Sequence, residues 1–529
     1  MKIQLDMLDY VVIAIYFAVV FYIAWSVTKK EKESSEDYFL AGRNLGWFAI
    51  GASLFASNIG SEHLIGLAGE GAASGFAVSQ FEILAGLILI VLGWVFVPFY
   101  LKSGVTTMPE FLEKRYSKAA RNYLSIVSVL AYIVTKISAT IFAGAVVFEA
   151  IGLPFWLGAG SLVVATGVYT LFGGLKAVIY TDTMQVFVMI FGAIMVTVIG
   201  INTLGGYSEL QATLEPSFFS LWKDMSDPKF PWTGIVFGAP ILGVWYWCTD
   251  QFIVQRVLSA RNVSHARKGT VFAGYIKMLP MFLFVLPGMV AFALSQKGML
   301  TLEKTDHALP ALVAGVLPLG LKGLVVAGLF AALMSSLSSV FNSCSTLLTY
   351  DFYYQRNPRA TEKELLRFGQ ISTAVLVVAG IAWIPLMKLI QGGLFTYLQS
   401  VQAYISPPIA CVFLLGLFFK RLNAQGAIAS LYTGLVLGVL RLVLEMNKPN
   451  LSGALYYIAD INFLHFAFVL FVICSAVLVI VSMMTPAAES EVHYEKVQPT
   501  KEEARETKID LMLTIGLVVV MGIIWIVFR

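Results

Sequence analysis

Charge is scarce in this sequence. Asp, Glu, Lys and Arg make up 13% of its 529 residues, about half their share in an ordinary soluble domain. Apolar residues reach 58% and the mean hydropathy is +0.79. No single soluble chain hides that much apolar surface from water, so lipid must cover part of it. A cytosolic enzyme, a nucleic-acid binder and a disordered chain are excluded together. The net charge of +4 is too small to point to a polyanionic partner. Cysteine is scarce as well. Cys248, Cys344, Cys411 and Cys474 lie far apart, without CxxC spacing, and read as packing residues, not a disulfide frame or metal site. Five histidines, His63, His265, His307, His465 and His493, are too few and too scattered for haem pairs. No cleavable leader is expected, because the first apolar run, 7–27, is long enough to span.

What the sequence has is long apolar runs. A spanning helix needs roughly 20 such residues, and fourteen segments qualify: 7–27, 45–69, 76–100, 123–150, 154–172, 181–204, 232–251, 269–295, 324–349, 368–390, 394–419, 425–445, 459–484 and 509–528. Two connections, 205–231 and 296–323, read as long and hydrophilic, and the mixed-charge run 485–508 reads as a solvated linker. Basic residues collect after the first, third, seventh, ninth and thirteenth spans, for example Lys29, Lys30, Lys32 and Arg43, or Lys496, Lys501, Arg505 and Lys508. Connections 70–75 and 151–153 have none. That bias predicts odd-numbered connections in the cytoplasm and both termini outside.

Ionisable groups inside a bilayer are expensive and usually functional. Five stand out: His63, Glu82, Lys136, Asp182 at the expected start of the sixth span, and Lys277. Each alternatively snorkels to an interface or is neutralised by packing, and Asp182 alternatively caps its helix. Glu82 and Lys277 lie well inside their runs and are expected to pair across a polar cavity. With a histidine, such a pair offers charge-assisted hydrogen bonds to hydroxyls and suits a polyhydroxylated ligand.

Two spans are unusual in composition. The second carries Asn58, Gly60, Ser61 and further glycines through Gly71. Small residues permit close helix packing, but Asn-Ile-Gly-Ser near mid-span also reads as a discontinuous helix whose freed carbonyls suit a small cation. The ninth carries Ser335, Ser336, Ser338, Ser339, Asn342 and Ser343. One or two serines satisfy themselves by bonding back along the helix. A stripe of hydroxyls on one face, without carboxylates, argues for a monovalent cation rather than magnesium or calcium.

The stretches SNIGSEHLIGLAG (57–69), GGLKAVIYTDTMQ (173–185), WYWCTDQFIVQR (245–256), MSSLSSVFNS (334–343) and PPIACVFLLGLFFKR (407–421) resemble the solute:sodium symporter family, and within it the sodium/glucose cotransporters. The resemblance runs through nearly the whole chain. It implies an all-α polytopic membrane protein of fourteen transmembrane helices with a leucine-transporter-like core of two inverted five-helix repeats. These would occupy 45–204 and 232–419, with 1–44 and 420–529 peripheral and 205–231 an external connection.

Carried over by motif, one sodium site would use the carbonyls of Ala56, Ile59, Ala332 and Ser335 with the hydroxyls of Ser335 and Ser336. A second would use Asp182, Ser338 and Ser339. The sugar site would take Asn58, His63, Glu82, Tyr246, Trp247, Lys277 and Gln399. Tyr246 resembles the inner gate, and Leu67, Phe81 and Phe395 the outer gate. Some bacterial sugar carriers have glutamine at His63, serine at Ala85 and asparagine at Gly243, so this chain is nearer the animal glucose carriers in 57–69. Glucose, galactose and myo-inositol all stay open. The resemblance thus implies a symporter of the inner membrane of a bacterium, with two sodium ions as the co-transported partner and a sugar as substrate. No nucleic acid and no obligate protein partner is expected. A membrane enzyme would need a catalytic constellation, and Glu82 has no evident carboxylate mate. A passive channel fits a broken helix facing serines less well than an occluded site does.

Overall fold

The structure, a computed structural model, describes residues 3–28, 35–387, 394–487 and 501–529. Lys29, Lys30, Lys32, Lys496, the end of the 368–390 span and most of the 485–508 linker lie outside them. Among the described residues every regular element is helical, with two isolated β-bridges, Leu45 to Ala260 and Lys223 to Pro231.

In chain order the long elements are α1 (Met7–Thr28), α2 (Trp47–Asn58), α3 (62–74), α4 (80–103), α5 (Lys118–Ala150), α6 (155–173) and α7 (Gly174–Leu204). There follow α8 (232–249), α9 (Gln251–Leu258), α10 (Val263–Gln296), α11 (Ala308–Val316) and α12 (Leu321–Arg356). The series ends with α13 (Glu362–Met387), α14 (Leu394–Phe418), α15 (Ala424–Met446), α16 (Phe463–Met484) and α17 (Lys501–Val527). Eleven helices among the described residues are long and apolar enough to cross a bilayer, against fourteen expected. The other three expected segments fall short for physical reasons. The apolar stretch Phe155–Leu171 is shorter, 45–69 breaks between α2 and α3, and 232–251 is interrupted at Gly238 within α8 and ends at the α8/α9 break.

Two further expectations are corrected. The connection 296–323 is not hydrophilic throughout, because α11 (ALPALVAGV) buries Ala308, Leu309, Leu312 and Val313. Asp182 does not start a helix. Gly174 adopts φ 55°, ψ −162°, a conformation open to glycine, and the chain turns there directly from α6 into α7. Asp182 therefore sits roughly two turns inside α7, and the capping reading falls away.

At the centre, α12 packs against α7, α1 and α2, and α10 packs along α2 and α4. Its serine stripe is buried from Ser335 to Ser345. Large apolar side chains on α1, α15, α16 and α17 stay exposed, for example Tyr22, Val436, Met483 and Ile526. Patches of this extent on soluble proteins mark interfaces; here they are the surface that lipid covers.

Candidate solute and ion sites

The α2/α3 break follows from two residues. Ile59 leaves the helix with φ −74°, ψ 109°, and the chain re-enters a helical turn at Ser61. The last carbonyls of α2 thereby lose their i+4 donors. Gly60 lets α12 approach, since a Cβ there would lie 2.8 Å from Ser336 Oγ. A second break, at Asp250, places an extended residue between α8 and α9. It was not foreseen: nothing in the apolar run WYWCT marks it, and only Asp250, an N-cap residue type before QFIVQR, signalled a new helix start.

Between these breaks lies a cavity lined by residues of α2, α3, α4, α8, α10 and α14. All seven residues expected at the sugar site, Asn58, His63, Glu82, Tyr246, Trp247, Lys277 and Gln399, line it. Lys277 stands where α10 loosens ahead of Pro280, which cannot donate to the ladder. Its ammonium is ion-paired with Glu82, donates to Asn58 Oδ1 at 2.5 Å and lies 3.2 Å from His63 Nε2. His63 Nε2 is also 3.2 Å from Glu82 Oε1. Lys277 and His63 are 1% and 2% exposed, so the network is nearly dry. His63 Nδ1 is buried and has no hydrogen-bond partner among the described residues, which is uncommon for a buried polar atom.

Two lining residues were missed. Glu62 accepts from Gln402 Nε2 at 3.3 Å, and both face the cavity. Gln402 follows Gln399 by one helical turn, so the spacing was the available signal.

Aromatic residues close the cavity on two sides. On one, Phe81 and Phe395 meet edge to face with centroids 5.7 Å apart. Leu67, expected with them, is wholly buried and does not line the cavity. On the other, Asn58 Nδ2 donates to Tyr246 OH at 2.8 Å. Lys136 Nζ lies 4.1 Å from the Tyr246 ring centroid and 3.8 Å from that of Phe252, and 3.2 Å from Asp250 Oδ2. Tyr132 donates to the other oxygen of Asp250. Lys136 thus does not snorkel; it is a buried member of the layer behind Tyr246.

The ion-site residues cluster around the α2 break and the serine stripe. Ala56, Ile59, Ala332, Ser335 and Ser336 are all buried. Asp182 accepts from Ser335 Oγ at 2.5 Å, Ser53 Oγ at 2.7 Å and Ser57 Oγ at 3.1 Å. Ser339 bonds to Ser57 at 3.0 Å and takes a hydrogen bond from Arg256. Ser338 turns back to the Ser335 carbonyl at 3.0 Å, so its hydroxyl does not reach Asp182. Ser53, Ser57 and the fully buried Arg256, 3.8 Å from Asp182, were not anticipated. Ser57 lies one turn from Ser53 on α2, and that spacing was legible.

The profile of the Sodium:solute symporter family matches residues 38–434. Sodium/glucose cotransporter 1 of Ovis aries is 42% identical over 95% of this chain and 82% of that protein. The sodium/myo-inositol cotransporter of Homo sapiens is 39% identical over 96% and 76%. A Na+-coupled sialic acid symporter, solved in a substrate-bound outward-open state, superposes with a TM-score of 0.79 at 21% identity, covering 92% of this chain and 99% of that one; that likeness shows the fold. By sequence and by fold, this chain belongs to the sodium:solute symporter family, as a multi-pass membrane transporter, not an enzyme, with sodium as the co-transported ion.

Proposed function

We infer that the chain carries a hexose such as glucose or galactose inward with sodium, by alternating access. The observation that carries this reading is the buried network of Glu82, Lys277, His63 and Asn58 on a cavity wall that also presents Tyr246 and Trp247. Paired charges offer strong, directed hydrogen bonds to hydroxyls while largely neutralising each other. The aromatic rings supply an apolar face for the C–H side of a pyranose. Myo-inositol shares the hydroxyls, and a sodium/myo-inositol cotransporter is among the relatives, so it is the second substrate to test.

In this reading Asn58, His63, Glu82, Tyr246, Trp247, Lys277 and Gln399 hold the sugar. Ala56, Ile59, Ala332, Ser335 and Ser336 hold one sodium, and Asp182 with Ser339 forms the second site, joined by Ser335 and with Ser338 behind. Phe81 and Phe395 gate the outer side and Tyr246 the inner. The repeats are 45–204 and 232–419, and the two broken helices open them in turn, as inverted repeats require. The protein sits in the inner membrane with both termini outside, following the basic-residue bias. Sodium on the α2 break stabilises α2 against α12, and the sugar site forms beside it.

Uptake of radiolabelled glucose, galactose and myo-inositol into proteoliposomes, with and without a sodium gradient, tests this. Sodium-driven accumulation of a hexose is expected. Sodium-dependent uptake of none of the three would overturn the sugar reading.

A further inference from the structure

The closure at Phe81 and Phe395 has a further part. Phe230, 2% exposed, ends the 205–231 connection and stands behind the two rings that line the cavity. Its ring is edge-on to Phe81 at 6.1 Å and to Phe395 at 6.4 Å. Rings in such contact favour one another's positions, so when Phe81 and Phe395 part, at least one of them also leaves Phe230.

The segment is tied down by specific bonds. Asp227 Oδ1 accepts from the N–H groups of Lys229 at 2.9 Å and Phe230 at 2.7 Å. Asn462, at the start of α16, donates to the carbonyls of Pro228 at 2.9 Å and Lys229 at 3.1 Å. Lys229 Nζ reaches both carboxylate oxygens of Glu70 on α3, each at 2.9 Å. Thr396, the neighbour of Phe395 on α14, donates to the same carboxylate at 3.3 Å. One buried glutamate therefore holds the tip of the connection and the start of α14 together at the cavity mouth.

We propose that residues 227–230 are a third part of the outer gate, with Phe230 positioning Phe81 and Phe395 and the Lys229–Glu70 ion pair acting as its latch. The proposal rests on the reading of this cavity as a solute site reached from outside. The charge distribution suits a contact that opens in every cycle. The Lys229 side chain is 40% exposed while Glu70 is 6% exposed, so the ammonium returns to water when the contact opens. A latch that breaks favours the outward-open form, and a ligand's apparent affinity follows the population of its binding-competent form.

The test places a cysteine at the cavity wall, Gln399→Cys, and measures its labelling by a membrane-impermeant maleimide added outside right-side-out vesicles. Adding Lys229→Gln or Glu70→Gln is expected to speed labelling roughly fivefold, and the two together no more than either alone. Phe230→Ala is expected to speed it further, and Phe230→Leu to restore most of the closure. With Gln399 intact, the latch variants are expected to lower both the half-saturating sugar and the maximal rate. Should Phe230→Ala fail to fold, Lys229→Gln carries the test, because its side chain is part-exposed. Unchanged labelling when Lys229→Gln is added to Gln399→Cys would overturn the latch. Faster labelling, with the Gln399-intact protein carrying none of the tested sugars, would support the latch and overturn the sugar reading alone.

Discussion

Ser335 donates its hydroxyl hydrogen to Asp182 at 2.5 Å, and so joins the serine expected at the first sodium site to the aspartate expected at the second. An ion that takes Ser335 Oγ as a ligand changes what Asp182 accepts, and the reverse holds by linkage. Each sodium entering down ~100 mV gains about 2.3 kcal/mol, and a tenfold concentration gradient adds about 1.4 kcal/mol. One ion sustains a solute gradient of roughly several hundredfold, and two roughly several hundred thousandfold. The expected stoichiometry is two sodium ions per sugar. Asp182→Asn keeps the side-chain shape, removes the charge and should lower the ratio towards one, read as a reversal potential in proteoliposomes. A wild-type ratio of one, unchanged in the variant, would make Asp182 structural.

Glu82 and Lys277 should fail singly. Removing either leaves a buried partner unpaired, at a cost of about 3–5 kcal/mol. Glu82→Ala and Lys277→Ala are therefore expected to abolish saturable sugar binding and to lower the melting temperature of protein that still inserts. Near-normal sugar affinity in both variants, by equilibrium binding, would remove them from the site.

Tyr246 contributes both a ring and a hydroxyl. Tyr246→Phe loses the bond from Asn58, worth about 1 kcal/mol, and should retain transport with sugar affinity weakened several-fold. Tyr246→Ala also loses the ring and should transport very little. Comparing uptake with the amount of inserted protein separates a gate from a packing residue: equal transport per molecule in the two variants would end the gate assignment.

Gly60 sets the spacing between the α2 break and α12. In Gly60→Ala the new methyl lies 2.8 Å from Ser336 Oγ, and overpacking of this kind costs about 1–3 kcal/mol. Half-saturating sodium should rise roughly tenfold, with the sugar site less affected at saturating sodium. A sodium dependence identical to wild type would show that Ser336 does not approach the ion.

The sequence made the all-helical fold, the α2 break with Asn58, and the group of His63, Glu82 and Lys277 legible, because each left a local mark; Tyr246, Trp247 and Gln399 came only from the family resemblance. Apolar run length marks a span, glycine and asparagine in mid-span mark a break, and a charge in lipid marks a cavity. Asp250 and Phe230 were not legible for a common reason. Asp250 reads only as the end of an expected span until Lys136 and Tyr132, more than a hundred positions earlier, are seen to hold it. Phe230 looks like one more aromatic in a connection until two distant rings are found against it. Arg256 stood in a quoted motif, yet only its zero exposure beside Asp182 shows that a cation is already built into that neighbourhood. The capping reading of Asp182 failed because one positive φ at Gly174 replaced the expected loop.

Asn58 makes the cavity an interlock. Its one amide accepts from Lys277 and donates to Tyr246, and it is the last residue of α2 before the chain unwinds. A sugar hydroxyl that takes over the Lys277 hydrogen frees one end of that amide, and the hold on Tyr246 then depends on the position of the unwound segment alone. Gly60 of that segment packs closely against Ser336 of the serine stripe. In the proposed reading, sodium fixes the unwound segment while the sugar frees the amide, so ion and cargo act on the same side chain. Inward opening is then expected to need both aboard, with Asn58 discouraging slippage with either alone.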